Sequence, residues 1–395
     1  MRIAHFAWES LYSIKVGGVA YVVSQLAEAQ AKLGHEVHVF TRIGPNQKVY
    51  EVINGVHYHR CPYSYETDFF KEMAHNLSNS IAYYFKEAEK KFGPFDIVHG
   101  HDWHIVNAMD IVKKELNKKL VFTFHSTEYG RNGNHIGDGG VSEGIRGLEW
   151  YGSYIANMVT TISNVMRDEV KWLYKIPDWK LRIIYNAIDY GRFDDFGFVD
   201  AWQDAKRHLG FGVWDPVILF IGRFMWQKGP DMLVEAIPHV VKEFSNARFV
   251  FLGDGPMRMG CEDRAKQLGV WGKNAFFLGY VSEEDKIKWL KACDMLVVPS
   301  RNEPFGLVVL EGWANYKPVI APHSTGAGEI IWHEVTGLKV YQEPESIAWG
   351  VKELIRSPDK AKWMGQNGRV AVEKKFNWDN IAREYVAVYE EVLRG

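Results

Sequence analysis

The stretch RIAHFAWESLYSIKVGGVAYVVSQLAEAQAKLGHEVHVF, residues 2–40, contains a strand, a helix and a second strand in succession. Its first six residues, RIAHFA, are the short apolar run that is typical of a buried strand. VAYVVSQLAEAQAKLG has the apolar spacing of a helix that ends at Gly34, and HEVHVF predicts the next strand. This order of elements indicates a parallel α/β sheet.

The alternation continues along the chain and then starts again. In the first half, further strands are predicted at FDIVHG, KLVFTFH, MVTTIS and LRIIYN, and in the second half at PVILFIGR, ARFVFLG, NAFFLG, DMLVVPS and KPVIAP. We therefore expect an α/β protein of two doubly wound, Rossmann-like domains, residues 1–195 and 205–377, joined within Asp189–Leu209. The last helical segment, 378–395, either completes the second domain or packs back on the first.

Composition limits the classes of function. The 395 residues suit two domains, and 47% hydrophobic with 24% charged residues is the composition of a soluble globular protein. A formal net charge of −2 argues against nucleic acid or an anionic membrane as a bulk partner. The three cysteines form no metal or disulfide pattern, and we see neither a signal peptide nor a membrane span. We expect a cytoplasmic protein, whose oligomeric state stays open.

Unusual residues follow the predicted strands at their carboxyl ends, where open parallel sheets bind ligands. In the first half these residues are Gly17, Gly18, Asp102 and His125. In the second half they are Arg223, Lys228, Asp254, Glu303 and the glycine-rich STGAGE after KPVIAP. Scattered structural polar residues would not need this placement. We expect two active edges with a ligand cleft between them.

RNEPFGLVVLE, residues 301–311, shows what one edge binds. Pro304 suits the first turn of a helix, so the amides of Phe305 and Gly306 would lie at its positive end, and we assign them and Leu307 to donor binding. Glu303 would precede that end and Glu311 would lie about 10 Å along the axis. Two acceptors that flank an anion site fit a nucleoside diphosphate sugar. Glu303 could instead be a helix cap, and Glu311 could be a surface residue. The apolar neighbours of Glu311 in the sequence argue against the latter, because a buried carboxylate without a partner is unfavourable.

These residues carry a family resemblance. Glu303 to Glu311 resembles the Glu-x7-Glu signature, and GRFMWQKG, residues 222–229, resembles the Gly-Arg-x4-Lys-Gly element, of family 4 glycosyltransferases. The similarity covers the whole chain, including the GG loop, HDWH, TFH and the closing FNWDNIAREY. It implies the GT-B fold, with two Rossmann-like domains that face each other across a cleft, and transfer of a sugar with retention of anomeric configuration.

The resemblance implies roles for the second-half residues. Arg223 and Lys228 would hold the donor diphosphate, because cations neutralise the leaving group as its bond to the sugar breaks. Glu303 would position the sugar and stabilise charge, without acting as a nucleophile, and Glu311 would bind the ribose. Asp254 would belong to the donor side.

First-half residues would complete the site. Gly17 and Gly18 resemble the loop that closes over donor phosphate and acceptor, and His125 resembles the histidine beside the donor sugar. Asp102 is expected on the acceptor side, although it could be the cap of a helix that starts at HDWH. Glu128, in the loop HSTEYGRNGN, is also expected on the acceptor side. The same loop resembles glycogen-synthase-like members and favours a glucosyl donor and a glucan acceptor.

Metal and cofactor chemistry are not expected. His99, His101 and His104 are close in sequence, but residues on a strand and its exit do not obviously converge, and no HExxH or Asp-x-Asp pattern supports a metal. A dinucleotide-dependent oxidoreductase would share the domains, yet the first strand is followed by VGG in place of GxGxxG. A non-catalytic sugar-nucleotide sensor would keep the donor residues. The nucleotide base, whether uracil, adenine or guanine, is left open.

Overall fold

The structure, a computed structural model, describes residues 1–64, 70–137, 139–194 and 206–395, without the side chains of residues 70–73. Internal contacts divide the chain into two compact units. The first comprises Met1–Asn186 with Trp378–Gly395, and the second comprises Ala187–Asn377. The link predicted within Asp189–Leu209 begins close to this division, and its residues 195–205 lie outside the described residues.

The first unit contains an eight-stranded sheet of order β3-β4-β2-β1-β5-β6-β7-β8. All neighbouring strands are parallel except β3, which runs antiparallel to β4. β2, β3 and β4 are added on one side of β1, and β5 to β8 are added on its other side. The direction in which strands are added therefore reverses between β1 and β5. The strands are β1 (Arg2–Phe6), β2 (Glu36–Arg42), β3 (Tyr50–Ile53), β4 (Val56–Cys61), β5 (Ile97–His101), β6 (Lys119–Phe124), β7 (Met158–Thr161) and β8 (Leu181–Ile183).

The edge of this sheet is a hairpin that the sequence analysis missed. β3 and β4 are joined by Asn54 and Gly55, both with positive φ, of 50° and 80°. An Asn-Gly pair between short β-rich runs favours this tight turn, because both residues tolerate the left-handed region. The signal was therefore present in YEVINGVHYHRC.

Helices cover the sheet of the first unit. Phe6, Phe40 and Phe85 meet edge to face or tilted at 5.4–5.6 Å in a core between β1, β2 and the second helix. Strands buried on both faces explain the continuous apolar runs of the sequence. The helices are α1 (Gly18–Lys32), α2 (Phe70–Phe92), α3 (Val106–Leu116), α4 (Glu128–Arg131), α5 (Gly140–Ile155) and α6 (Asn164–Tyr174).

The second unit has a six-stranded parallel sheet of order β11-β10-β9-β12-β13-β14. Its order reverses between β9 and β12. The sequence analysis predicted the first five of these strands but not β14. The strands are β9 (Val217–Ile221), β10 (Arg248–Leu252), β11 (Ala275–Gly279), β12 (Met295–Val297), β13 (Val319–Pro322) and β14 (Gly337–Val340). The helices are α7 (Pro230–Val241), α8 (Arg258–Gln267), α9 (Glu283–Ala292), α10 (Leu307–Ala314), α11 (Gly326–Ile330), α12 (Pro344–Arg356) and α13 (Pro358–Lys374).

The last helix, α14 (Trp378–Arg394), belongs to the first unit. The Trp378 indole donates to Gln25 Oε1 of α1 at 2.8 Å. Tyr385 and Tyr389 are buried. Among the described residues, no helix has the length and apolar character needed to cross a bilayer.

Candidate active site

Each sheet has a topological switch point, and some of the expected site residues follow the strands on either side of it. In open α/β sheets the crevice outside the carboxyl ends of the two strands at the switch binds ligands. In the second unit these strands are β9, which Arg223 follows, and β12, which Glu303 follows. In the first unit they are β1 and β5, and Asp102 directly follows β5.

Lys228 and Glu303 meet in the second unit. Lys228 Nζ donates to Glu303 Oε2 at 2.6 Å, and the Ser300 hydroxyl donates to the same oxygen at 3.4 Å. The Glu303 side chain is 9% exposed and that of Lys228 is 27% exposed. Backbone bonds from Arg301 and Asn302 to the Gln227 carbonyl, at 2.7 and 3.1 Å, tie the two loops together. This ion pair is shielded from water but not closed off.

The helix after Glu303 begins later than predicted. α10 starts at Leu307 and Gly306 is its N-cap with φ of 93°, so the assignment of Pro304 to the first turn was wrong. The reason is tertiary: the Gly326 amide donates to the Glu303 carbonyl at 2.7 Å and holds this segment in a turn. The Phe305 side chain is buried. At this end of the helix, the backbone amides of Gly306, Leu307 and Val308 have no acceptor among the described residues.

Close backbone approach explains the glycine-rich segment STGAGE. A Cβ on Gly326 would lie 2.1 Å from the Pro304 carbonyl oxygen, so only glycine fits there. α11 therefore packs directly against the loop that carries Glu303.

Glu311 lies in the second turn of α10 and is ion-paired. Its Oε1 accepts from Lys286 Nζ at 2.8 Å and from Arg192 Nη2 at 3.4 Å. Burial of Lys286 would lower the pKa of its ammonium, but the carboxylates of Glu311 and Glu283 outweigh burial and raise that pKa to about 12. The sequence analysis missed Lys286, because a lysine on a charged helix gives no sign of its distant partner.

Arg223 and Asp254 are exposed on neighbouring loops. The Phe224 amide donates to the Asp254 carbonyl at 2.8 Å, which brings the loops after β9 and β10 together. The Asp254 carboxylate accepts from the Gly255 amide at 2.8 Å. Within the described ranges the Arg223 guanidinium has neither a hydrogen bond nor an ion pair, so it is available to an anion.

In the first unit, Asp102 and His125 are in contact. Asp102 Oδ1 accepts from the His125 amide at 2.8 Å and from the Ser126 amide at 3.4 Å. Asp102 occupies the N-cap position of the turn Trp103–Ile105, but its side chain makes no hydrogen bond to that turn. With φ of 58° and ψ of 178°, Asp102 occupies a region that non-glycine residues rarely adopt. Burial raises the pKa of its carboxyl to about 6, although the Arg131 charge and both amides favour the ionised form.

His125 ends a buried chain of hydrogen bonds. His125 Nε2 lies 3.0 Å from His101 Nδ1, His101 Nε2 lies 3.0 Å from His5 Nδ1, and His5 Nε2 lies 2.7 Å from Gln30 Oε1. The Gln30 amide nitrogen donates to the Tyr389 hydroxyl of α14 at 3.1 Å. The structure thus links the expected site histidine to the last helix, which the sequence analysis did not foresee.

Burial keeps these histidines neutral, and the hydrogen bond to Gln30 fixes their tautomers. It lowers the pKa of His125 to about 3, that of His5 to about 4 and that of His101 well below its ordinary value. Gln30 Oε1 only accepts, so His5 donates from Nε2 and accepts at Nδ1. His101 and His125 must then also donate from Nε2. The Nδ1 atom of His125 is left as an acceptor, with no hydrogen bond from the described residues.

A metal could geometrically fit between His5, His99 and His101, whose ring nitrogens lie within 4.8 Å of one another. The nitrogens are already used, since His99 bonds to the Tyr389 and Thr123 hydroxyls at 2.7 and 2.6 Å and His5 bonds to His101. A metal would have to break these bonds. His104 is elsewhere, stacked on Trp8 at 4.7 Å.

The glycine loop of the first unit is held by a buried acid. Glu9 Oε2 accepts from the amides of Val16 and Gly17 at 2.6 and 2.7 Å. Gly17 caps α1, which begins at Gly18, and both glycines are exposed. Burial raises the pKa of the Glu9 carboxyl, while the two amides and Arg42 oppose this. Glu9 was not predicted, because one glutamate in a loop carries no spacing signal.

Glu128 is buried at the start of α4. Its carboxylate accepts from Arg131 at 3.3 Å and from the Asn132 amide at 3.2 Å, and its backbone amide donates to Glu149 at 2.8 Å. These bonds give Glu128 a local structural role. Its assignment to the acceptor side stays a prediction.

Two sequence models of known families match the chain. The model described as "Glycosyltransferase Family 4" matches residues 16–192, and the model described as "Glycosyl transferases group 1" matches residues 203–371.

Known proteins resemble the chain over its whole length. An uncharacterized glycosyltransferase of Methanocaldococcus jannaschii is 37% identical, over 99% of this chain and 98% of that protein. A glycogen synthase of Mycobacterium tuberculosis is 25% identical, and the match covers 100% of this chain and 96% of the length of that synthase. Among solved structures, a sucrose-phosphate synthase from Thermosynechococcus elongatus superposes with a TM-score of 0.81, 25% identity and coverage of 100% and 99%.

Proposed function

The chain belongs to the family 4 glycosyltransferases, which have the GT-B fold, and on that basis we propose that it transfers a hexose, first of all glucose, from a nucleoside diphosphate sugar to a hydroxyl of a sugar or glucan acceptor. We propose retention of anomeric configuration and no metal requirement. The observation that carries the proposal is the Lys228–Glu303 pair at 2.6 Å beside the switch point of the second sheet.

Cations around this pair suit a departing diphosphate. Lys228 gives one ammonium proton to Glu303 and keeps two for oxygens of the ligand. Arg223, on the same loop as Lys228, presents a guanidinium that no described residue pairs, and the amides of Leu307 and Val308 lie at the positive end of α10. Such fixed donors stabilise charge as it develops on the leaving group. Glu303, held by Lys228, positions the sugar.

Glu311 suits a ribose. Its Oε1 is occupied by Lys286 and Arg192, whereas no hydrogen bond from the described residues reaches Oε2. The two ion pairs fix the orientation of the carboxylate. Oε2 is then free to accept from a ribose hydroxyl.

His125 suits the donor sugar. With Nε2–H committed to His101, its Nδ1 can only accept, so it recognises a sugar hydroxyl as a donor. Asp102 holds the His125 backbone, and the Gly17–Gly18 loop supplies the close approach expected toward donor phosphate and acceptor. The names of the relatives, glycogen synthase and sucrose-phosphate synthase, support glucosyl transfer to a carbohydrate. We further propose a reducing, cytoplasmic setting, which the three buried free cysteines support.

The test is a panel of uracil, adenine and guanine nucleotide sugars with release of the nucleoside diphosphate as the readout. Lys228→Ala and Arg223→Ala should each lower turnover by roughly 100-fold or more, because each removes charge stabilisation of the leaving group. Lys266→Ala, which removes an exposed pair with Asp263 in the same unit, is the matched control.

Three outcomes decide between the alternatives. Release of diphosphate that persists in a chelator, with a product of unchanged anomeric configuration by NMR, supports the proposal in full. Binding of a sugar nucleotide without any release would replace it with the sensor. Near-wild-type rates in both cation variants would overturn the assignment of the donor site.

A further inference from the structure

Arg42, the last residue of β2, is a buried cation for which the described residues provide no hydrogen-bond partner. The residue is 7% exposed, and its Nε and Nη2 atoms are buried with no hydrogen bond. In the part of the chain that the structure describes, no carboxylate forms an ion pair with it. The guanidinium lies over the Trp8 ring, with 3.8 Å between its carbon and the ring centroid.

Such an arrangement is unfavourable unless something else binds. A guanidinium stays charged at all relevant pH values, and a buried charge without a partner costs free energy that a cation–π contact only partly offsets. Arg60, on the adjacent β4, shows the ordinary solution. It is also buried, and it donates to the carbonyls of Tyr12 and Lys48 and to the Glu51 carboxylate, all within 2.9 Å.

Arg42 lies at the ligand-binding edge of the first unit. β2 is the neighbour of β1, and Trp8, on which the guanidinium stacks, follows the carboxyl end of β1. The Arg42 charge lowers the pKa of both Glu9 and His104, so it is close to residues that follow β1 and β5, the two strands of the switch point. Glu9 itself is committed to the glycine loop through Oε2.

We propose that Arg42 binds an oxyanion substituent, a phosphate monoester or a carboxylate, on the acceptor. This rests on the proposed function, because the second unit carries the cations assigned to the donor diphosphate and leaves Arg42 to the other substrate. The planar guanidinium offers two buried donors, Nε and Nη2, in the fork that matches two oxygens of one oxyanion. The Trp8 ring fixes the plane of that fork.

Binding is tested first without turnover. Full-length protein is titrated with inorganic phosphate, followed by phosphorus NMR line broadening, in a Lys228→Met background that weakens the donor diphosphate site. Arg42→Met should weaken phosphate binding by about 10- to 100-fold, the usual value of a charge-assisted hydrogen-bonded pair. Arg42→Lys should keep part of it, and Arg60→Met, which removes a buried arginine that is already satisfied, should keep all of it.

The second arm identifies the anion and uses the otherwise wild-type enzyme. Neutral sugars, their phosphate esters and their uronic acids are compared as acceptors at a fixed donor concentration. The anionic member should be preferred by about 10-fold or more, and Arg42→Met should remove the preference without changing donor affinity. The more reactive anion distinguishes phosphate from carboxylate.

Stability separates recognition from structure. Arg42→Met should melt at the same or a higher temperature, because it removes a buried charge without a partner, whereas Arg60→Met should melt lower. Phosphate binding that is equal in wild type and Arg42→Met, or a destabilised Arg42→Met with unchanged acceptor preference, would overturn the proposal. If wild type releases no nucleoside diphosphate from any donor, the proposed function fails while the phosphate titration still reports on Arg42.

Discussion

Replacement of Gln30 by Met should destabilise the first unit far more than an ordinary glutamine change. Gln30 is fully buried in α1, where Oε1 accepts from His5 and Nε2 donates to the Tyr389 hydroxyl. Met has a similar volume but bonds to neither. His5 Nε2 would lose its only partner, at about 1–3 kcal/mol, and Tyr389 would keep His99, so its loss is about 0.5–1.5 kcal/mol. The expected total is about 1.5–4.5 kcal/mol.

Native-state hydrogen exchange measures this loss unit by unit. The slowest amides of β1 and β5 should exchange about 10- to 1,600-fold faster in Gln30→Met, at about 1.4 kcal/mol per tenfold, while those of β9 and β10 serve as an internal reference. Gln25→Met is the matched control on the same helix, since it breaks one partly exposed bond to Trp378 and should cost about 0.5–1.5 kcal/mol. A Gln30→Met variant no less protected than Gln25→Met would refute the role of the buried chain.

Three further predictions concern the site. The Asp102 pKa of about 6 lies above that of an unfolded aspartate, so the folded state binds the extra proton and loses stability as pH rises from 4 to 7; Asp102→Asn should therefore become more stable relative to wild type by up to about 3 kcal/mol over that range, in urea titrations at each pH. Glu311→Gln should mainly weaken calorimetric binding of a free nucleoside diphosphate and Glu303→Gln should mainly slow transfer; equal effects on binding would contradict this division. Gly326→Ala should destabilise the second unit by about 1–3 kcal/mol in thermal unfolding, because its Cβ meets a backbone oxygen at 2.1 Å, whereas Gly260→Ala, in an exposed helix with open space, should be neutral or stabilising.

Local pattern predicted the two sheets. Apolar runs between helical segments located most strands, because buried parallel strands leave a continuous signal in the sequence. The start of α10 was placed three residues early, at Pro304. Proline at a first turn is only a local preference, and here the bond from Gly326 to Glu303 and the left-handed Gly306 hold the chain in a turn.

Contacts between distant residues were beyond local pattern. The parallel register of β1 and β5 places His5 opposite His99. The positions of these histidines in the sequence reveal the cluster only when the order of the strands is already known. Lys286 and Glu311 pair between two helices, and Gln30 meets Tyr389 across 359 positions. No periodicity of a single segment contains such information.

Two buried polar arrangements in the first unit imply different kinds of role. In the histidine chain, each internal ring donates one hydrogen bond and accepts one, so the chain is satisfied without a ligand and fixes the orientation of His125. Arg42 lies at the end of a neighbouring strand with two buried donors unused. A satisfied hydrogen-bond network makes the structure rigid. A buried charge without a partner destabilises the folded protein, and binding of an opposite charge removes that free-energy cost. The histidine chain therefore acts as a rigid support for His125, whereas Arg42 is the residue at which a bound anion would remove an existing cost.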